Sequence, residues 1–182
     1  GATIDVDGDP RPLMGGYDLG ADEILGSLVR LNGGPVYPTV QAAIDASTDP
    51  ADLIRVAGTC AEHDVTVDRT LTLQGGWSAD FGTHDPDAFT STLDAQGQGR
   101  VLEIVAGAPV VADLHIVNGS LGDDDGAVVY VGPAAAPTLR NNKLAFNTTG
   151  PQGHGGGICI DGSAAVKMEG NQITGNASGR SG

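Results

Sequence analysis

The chain has 182 residues, 40% of them apolar, which is enough to bury a core and excludes disorder as the default state. Aromatic residues make up only 4% while glycines number 29, so large core anchors are few, tight turns are many, and a helical bundle is not expected. Nine Lys and Arg against 23 Asp and Glu leave a net charge of −14, which repels phosphate backbones and anionic headgroups and excludes nucleic acid and membrane surfaces as expected partners.

No run approaches the ~20 apolar residues that span a bilayer, and no basic-then-apolar leader opens the chain. With no initiator Met, and with a closing Ser178-Gly179-Arg180-Ser181-Gly182 run, the sequence is expected to be a piece of a longer protein.

In chain order, Asp5, Asp7 and Asp9 come first and place three carboxylates on alternate residues. Hard cations take oxygen ligands in this way from one flexible turn, so these are the candidate Ca2+ ligands, although no cofactor is required. The EF-hand pattern itself fails, because Pro10 replaces its glycine and Gly16 stands where its bidentate Glu should be. A structural turn is the competing reading.

From Tyr37 to Ala46, the residues Val40, Ala43 and Ile44 share one helical face, which predicts a short N-terminal capping helix. A stack of strands needs such a cap, since its first layer would otherwise leave bare edges and an open core. Residues Ile54 to Leu73 then begin the first layer. Between Gly75 and Thr92 the strand pattern breaks around Trp77, Phe81, His84 and Pro86, and a loop outside the stack is expected.

Beyond it the chain repeats. Residues 126–150 align with 155–179 at a constant offset of 29, so that Val129, Val131, Leu139, Asn142, Leu144 and Asn147 match Ile158, Ile160, Met168, Asn171, Ile173 and Asn176. A fainter copy runs from Leu102 to Val117, with Pro109 and Ile116 matching Pro137 and Leu144 at an offset of 28. Alternating apolar pairs such as Val129/Val131 and Leu71/Leu73 have the period of half-buried strands. Short strands recurring every 28 to 29 residues predict an all-β solenoid, a parallel β-helix, with the recurring asparagines as turn ladders. On that scheme Cys60 and Cys159 lie three coils apart, on the order of 14 Å at about 4.8 Å per coil, too far for a disulfide.

Candidate chemistry centres on Gly153-His154-Gly155 and Asp123-Asp124-Asp125, because the offset of 29 places His154 over Asp125. Asp124 and Asp125 would act as acid or base, with His154 positioning. Polar turn residues are expected here whatever the function. A lyase would need acidic ligands beside an Arg or Lys base on one exposed strand column. With Lys143 and Lys167 as the only lysines, no such column is expected.

The run Val40-Gln41-Ala42-Ala43-Ile44-Asp45-Ala46, followed by Ile54-Arg55-Val56-Ala57-Gly58-Thr59 and Leu71-Thr72-Leu73-Gln74-Gly75-Gly76, resembles the opening of pectate-lyase-like right-handed parallel β-helix proteins. Gly155-Gly156-Gly157-Ile158 and Gly170-Asn171-Gln172-Ile173-Thr174-Gly175-Asn176 resemble the coils of polymorphic-outer-membrane-protein-like bacterial surface proteins. Asp5 to Pro12 and Tyr17 to Glu23 resemble the segment that closes such a β-helix. The resemblance implies the end of one β-helix at 1–23, a linker at 24–35 and the start of a second at 36–182, within a tandem protein. Polygalacturonases of this fold carry a paired-Asp motif and a Gly-His-Gly motif on neighbouring coils, as here. Their Asn-Thr-Asp and Arg-x-Lys elements have no match in order.

The resulting expectation is a non-catalytic β-helix segment of a secreted or cell-surface bacterial protein, a monomeric stalk, adhesin or glycan-contacting surface with carbohydrate or a cell-surface ligand as partner. The alternative is a polysaccharide-degrading enzyme, a polygalacturonase-like hydrolase using Asp124, Asp125 and His154.

Overall fold

The computed structural model describes residues 28–123 and 128–180. Asp5, Asp7 and Asp9, the segment 1–23, and Asp124 and Asp125 all lie outside the described residues.

The described chain is mostly β-strand, with one short helix and three sheets built chiefly from parallel pairs. It opens with β1 (Leu28–Leu31), β2 (Val36–Tyr37) and α1 (Val40–Ala46). Strands then follow in rounds of three: β3 (Leu53–Ala57), β4 (Thr59–Ala61) and β5 (Val65–Val67); β6 (Thr72–Gln74), β7 (Thr92–Asp94) and β8 (Leu102–Gly107). Next come β9 (Val110–Ala112), β10 (His115–Val117) and β11 (Val129–Ala135); β12 (Thr138–Arg140), β13 (Lys143–Ala145) and β14 (Ile158–Ile160); then β15 (Lys167–Glu169) and β16 (Gln172–Thr174). Each round contributes its first strand to one sheet (β3, β6, β9, β12, β15), its second to another (β4, β7, β10, β13, β16) and its third to the last (β5, β8, β11, β14).

The repeat is the register. Val129 pairs with Ile158 and Leu144 with Ile173, both 29 residues apart, while Ile116 pairs with Leu144 at 28. In the fainter copy Leu102 pairs with Val129 and Ile104 with Val131, and a bulge between Val131 and Ala134 absorbs the change of spacing. Alternate residues of each short strand face inward, so equivalent apolar side chains stack from round to round. Ile54, Leu73, Val111 and Leu139 do so in the first sheet, and Cys60, Leu93, Ile116 and Leu144 in the second, all at most 1% exposed. Each buried aliphatic side chain of this kind contributes roughly 1.5–3 kcal/mol.

Sharp corners separate the sheets. Between the first and second they fall at Asp113, Asn141 and Gly170, and after the second at Asn118, Phe146 and Gly175, all with φ between 54° and 64°. Asn and Gly tolerate that left-handed region, which explains why they recur at fixed spacing. Beside these corners Asn142 and Asn147 are buried, and their amides bridge rounds. Asn142 Nδ2 donates to the Val111 carbonyl at 2.8 Å and to Asn171 Oδ1 at 3.1 Å, and Asn147 Nδ2 donates to Asn176 Oδ1 at 2.7 Å.

At the amino-terminal side, Thr39 caps α1 by accepting from Ala42 N at 3.1 Å, and Val40, Ala43 and Ile44 are buried against β1, β3 and β5. Strand β1 pairs antiparallel with β3 and carries the fully buried Val29. Residues 28–31 of the segment 24–35 thus belong to the first sheet. Their Leu28/Val29 pair is core, and so short an apolar run carries no period to announce a strand. Cys60 in β4 and Cys159 in β14 sit in different sheets.

The segment between β6 and β7 leaves the strand pattern and folds over the outer face of the first sheet. Trp77 and His84 form a bridge with ring centroids 4.9 Å apart, and Phe81 packs with Leu28 and Ala57 in a small second cluster. Both ends of this loop are pinned by buried Ser91, whose Oγ donates to the Val56 carbonyl at 2.6 Å and accepts from Gly76 N at 2.9 Å.

Candidate functional site

The second-sheet strands begin with outward-facing residues that stand in register: Thr92, His115, Lys143 and Gln172 form one column across four rounds. Parallel strands lie about 4.8 Å apart, so these side chains are spaced like successive hydrogen-bonding groups along an extended ligand. The corner residues Asp113 and Asn141 flank one side of the column, and Pro86, Asp87 and Thr90 of the 75–91 loop form the facing wall. These loop and corner residues, with His115, Lys143 and Gln172 of the column, line an open cavity of about 380 Å³.

The corner carboxylate is the best-held group in this groove. The Asp113 side chain is only 4% exposed; its Oδ2 accepts from Gln74 Nε2 at 3.1 Å and lies 3.2 Å from His84 Nε2, while Oδ1 accepts from Asn141 Nδ2 at 3.2 Å. Those bonds join the loop and two successive corners to one side chain, which fixes the groove's walls relative to each other. Burial, and next the Lys143 ammonium, push the His115 imidazole below its usual range. At neutral pH it is therefore a neutral ring with one donor and one acceptor nitrogen, set beside the Lys143 cation. Carboxylate acceptors, ammonium and amide donors and an amphoteric imidazole in one groove can hydrogen-bond a hydroxyl-rich ligand, and the neutral imidazole can accept a proton.

His154 lies elsewhere. It follows β13, at the far ends of the same strands whose beginnings line the groove. There the turns of two rounds stack, with Gln152 N donating to Asp123 Oδ1 at 3.0 Å and Thr148 bridging Ser120. Asp124 and Asp125, the other two candidate catalytic residues, lie outside the described residues.

Lys143 shares its outward column with Thr92, His115 and Gln172, none of them a carboxylate. Its carboxylate neighbours come from a loop and a corner rather than from the column itself, and a search along strands misses them. The signal was present in the offset of 28 that sets His115 beside Lys143. Asp113 and His84 carried no comparable signal, since they are 29 residues apart only by way of a non-repeating loop.

Among the described residues, no group of three or more His, Cys, Asp and Glu side chains is arranged to hold a metal ion, and no helix is long and apolar enough to cross a membrane. Comparison with protein-family models, curated proteins and solved structures finds no match.

Proposed function

We propose that the rounds of strands close into a right-handed parallel β-helix of a secreted or cell-surface bacterial protein, and that the groove along His115, Lys143 and Gln172 is a carbohydrate-contacting surface. Rotation of the strands through three sheets, at a 28- to 29-residue register between the later rounds, supports the scaffold, with α1 as its cap. The observation that carries the binding reading is the cavity itself. Its volume of about 380 Å³ falls in the range of small-ligand pockets, and it is open and polar and runs along a ladder of evenly spaced side chains, as an oligosaccharide requires.

The second reading is a polysaccharide-degrading enzyme. It is favoured by one observation, the neutral His115 imidazole beside Lys143 in a groove lined by Asp87 and Asp113, which offers a proton acceptor next to a cation.

One experiment separates them. The protein is titrated with a panel of bacterial and plant oligosaccharides, polygalacturonate included, while binding heat, new reducing ends and unsaturated products are followed, with His115→Ala and Lys143→Ala alongside. Binding without product, weakened in both variants, supports the contacting surface. Product formation lost in both variants makes the enzyme reading primary. No binding to any glycan by a protein whose circular dichroism is β-rich overturns both.

A further inference from the structure

Arg30 of β1 and Arg55 of β3 stand directly opposite each other in the antiparallel pair, both on the outer face of the first sheet. Like charges placed opposite one another repel, and a chain with 23 Asp and Glu has carboxylates in abundance to separate them. The ion pairs of the described arginines nevertheless belong to others, Arg69 with Asp68 and Arg100 with Glu103. The Nε atoms of Arg30 and Arg55 are buried with no hydrogen-bond partner.

Each guanidinium rests instead on an aromatic ring of the 75–91 loop. Arg30 Cζ is 4.6 Å from the centre of Phe81, and Arg55 Cζ is 4.4 Å from the centre of Trp77. A ring engages the face of a guanidinium and leaves its in-plane N–H groups in need of acceptors. Trp77 Nε1 is a third buried donor without a partner in the same cluster. Asp80 of this loop is held below the usual carboxylate range by the Ser78 hydroxyl first, then the Gly82 N–H, with a smaller part from the Arg30 charge, yet it takes no hydrogen bond from the Nε of either arginine. Buried donors are nearly always satisfied, so two arginine Nε–H groups and an indole N–H buried without acceptors mark a place for an acceptor-rich group.

We propose that Arg30, Arg55 and Trp77 form an oxyanion site that takes a tetrahedral sulfate or phosphate group, with the paired guanidiniums as its forks. Paired guanidiniums match the oxygens of such a group, and the anion removes the repulsion between them. The site lies on the stretch of loop around Trp77 and Phe81, away from Pro86 to Thr90 that wall the groove, and it stands whether or not the groove binds sugar.

Trp77 is the chain's sole tryptophan, so its emission reports the site directly. The whole chain is titrated at constant ionic strength with inorganic sulfate, inorganic phosphate and a hexose 6-sulfate, with chloride as the reference. The expected result is a saturable change in Trp77 emission with the tetrahedral anions and none with chloride. Tighter binding of the hexose 6-sulfate than of sulfate identifies an ester on a sugar as the source, and the reverse order identifies the free ion. Arg30→Lys and Arg55→Lys keep the charge and ring contact but lose the fork, and are expected to weaken binding at least tenfold with an unchanged urea midpoint. An emission change shared equally by chloride, or sulfate binding undiminished in both lysine variants, overturns the proposal and leaves the rings as fasteners of the loop alone.

Discussion

His84 Nε2 lies 3.2 Å from Oδ2 of Asp113, so a loop residue outside the strand stack is tied to a carboxylate buried at a corner within it. Asp113 also accepts from Gln74 and Asn141, and it holds a φ of 59°. Asp113→Ala removes the shared acceptor and puts alanine in the left-handed region, so a loss of about 3 kcal/mol is expected in urea denaturation. Asp113→Asn keeps an acceptor oxygen and tolerates the backbone, and is expected to lose less than half as much. Equal losses for the two substitutions would mean that the carboxylate's charge, rather than its bonds and backbone, holds the corner.

The asparagine ladder should weaken toward the last round. Asn142 is 1% exposed, its Oδ1 accepts from Leu114 N at 3.2 Å, and its Nδ2 serves the Val111 carbonyl. Asn142→Ala strands two backbone groups away from water, at a cost of about 3 kcal/mol. Asn171 makes the equivalent bond to the Leu139 carbonyl at 2.7 Å but is partly exposed, so water replaces its amide and Asn171→Ala is expected to cost about 1 kcal/mol. Thermal unfolding of the two variants side by side measures the difference.

Acid should act through Asp52. Its Oδ2 accepts from Ser47 Oγ and from the N–H groups of Thr48 and Asp49, and its Oδ1 accepts from Asn32 Nδ2 at 2.7 Å. Led by the Asp49 N–H and the Asn32 amide, these bonds lower its pKa from 3.8 to about 2. A carboxylate depressed on folding contributes stability that is present above its unfolded value and lost as pH falls through the folded one. Asp52 therefore contributes stability at neutral pH that is withdrawn between about pH 4 and pH 2. Asp52→Asn is expected to be less stable than the parent at pH 7, with the gap closing across that window in denaturation curves taken at successive pH values.

His115 works in the opposite half of the scale. Burial first, and Lys143 second, lower its pKa below the ordinary histidine value, so below that value the unfolded chain takes up a proton that the folded chain refuses. Stability from this group is complete above 6.5 and falls as pH drops toward the folded value. Lys143→Gln removes the second cause and leaves the first, so the His115 ring protons, followed by NMR, are expected to titrate at higher pH while staying below the ordinary histidine value. No change in the titration would mean that Lys143 points away from the ring.

Periodicity carried most of the fold. The offsets that align Leu144 with Ile173 and Ile116 with Leu144 are the strand registers, and the apolar face of α1 is Val40, Ala43 and Ile44 as the spacing implies. The groove was hidden because its walls come from three kinds of place. His115 and Lys143 belong to the repeat, Asp113 to a corner where any polar turn residue fits, and Asp87 to a loop with no repeat at all. The arginine pair was hidden for a related reason. Arg30 and Arg55 meet through an antiparallel pairing of β1 that lies outside the repeat, and Trp77 and Phe81 reach them from the one segment that breaks it.

One corner position breaks the rule its column follows. Phe146 holds φ of 60° where the neighbouring rounds place Asn118 and Gly175, and it is 67% exposed. A bulky residue in the left-handed region costs about 1–2 kcal/mol, and an exposed ring recovers little of that by burial. Along the stack the ring lies over the corner of the next round, where a Cβ added at Gly175 would meet it at 3.4 Å. Phe146→Asn restores the residue type of the column and is expected to raise stability by about 1 kcal/mol, read as a higher midpoint in urea with an unchanged slope. A loss of stability instead would show that the ring shields the corner of the next round strongly enough to outweigh the backbone strain, and would make the Phe146–Gly175 contact a working part of the stack.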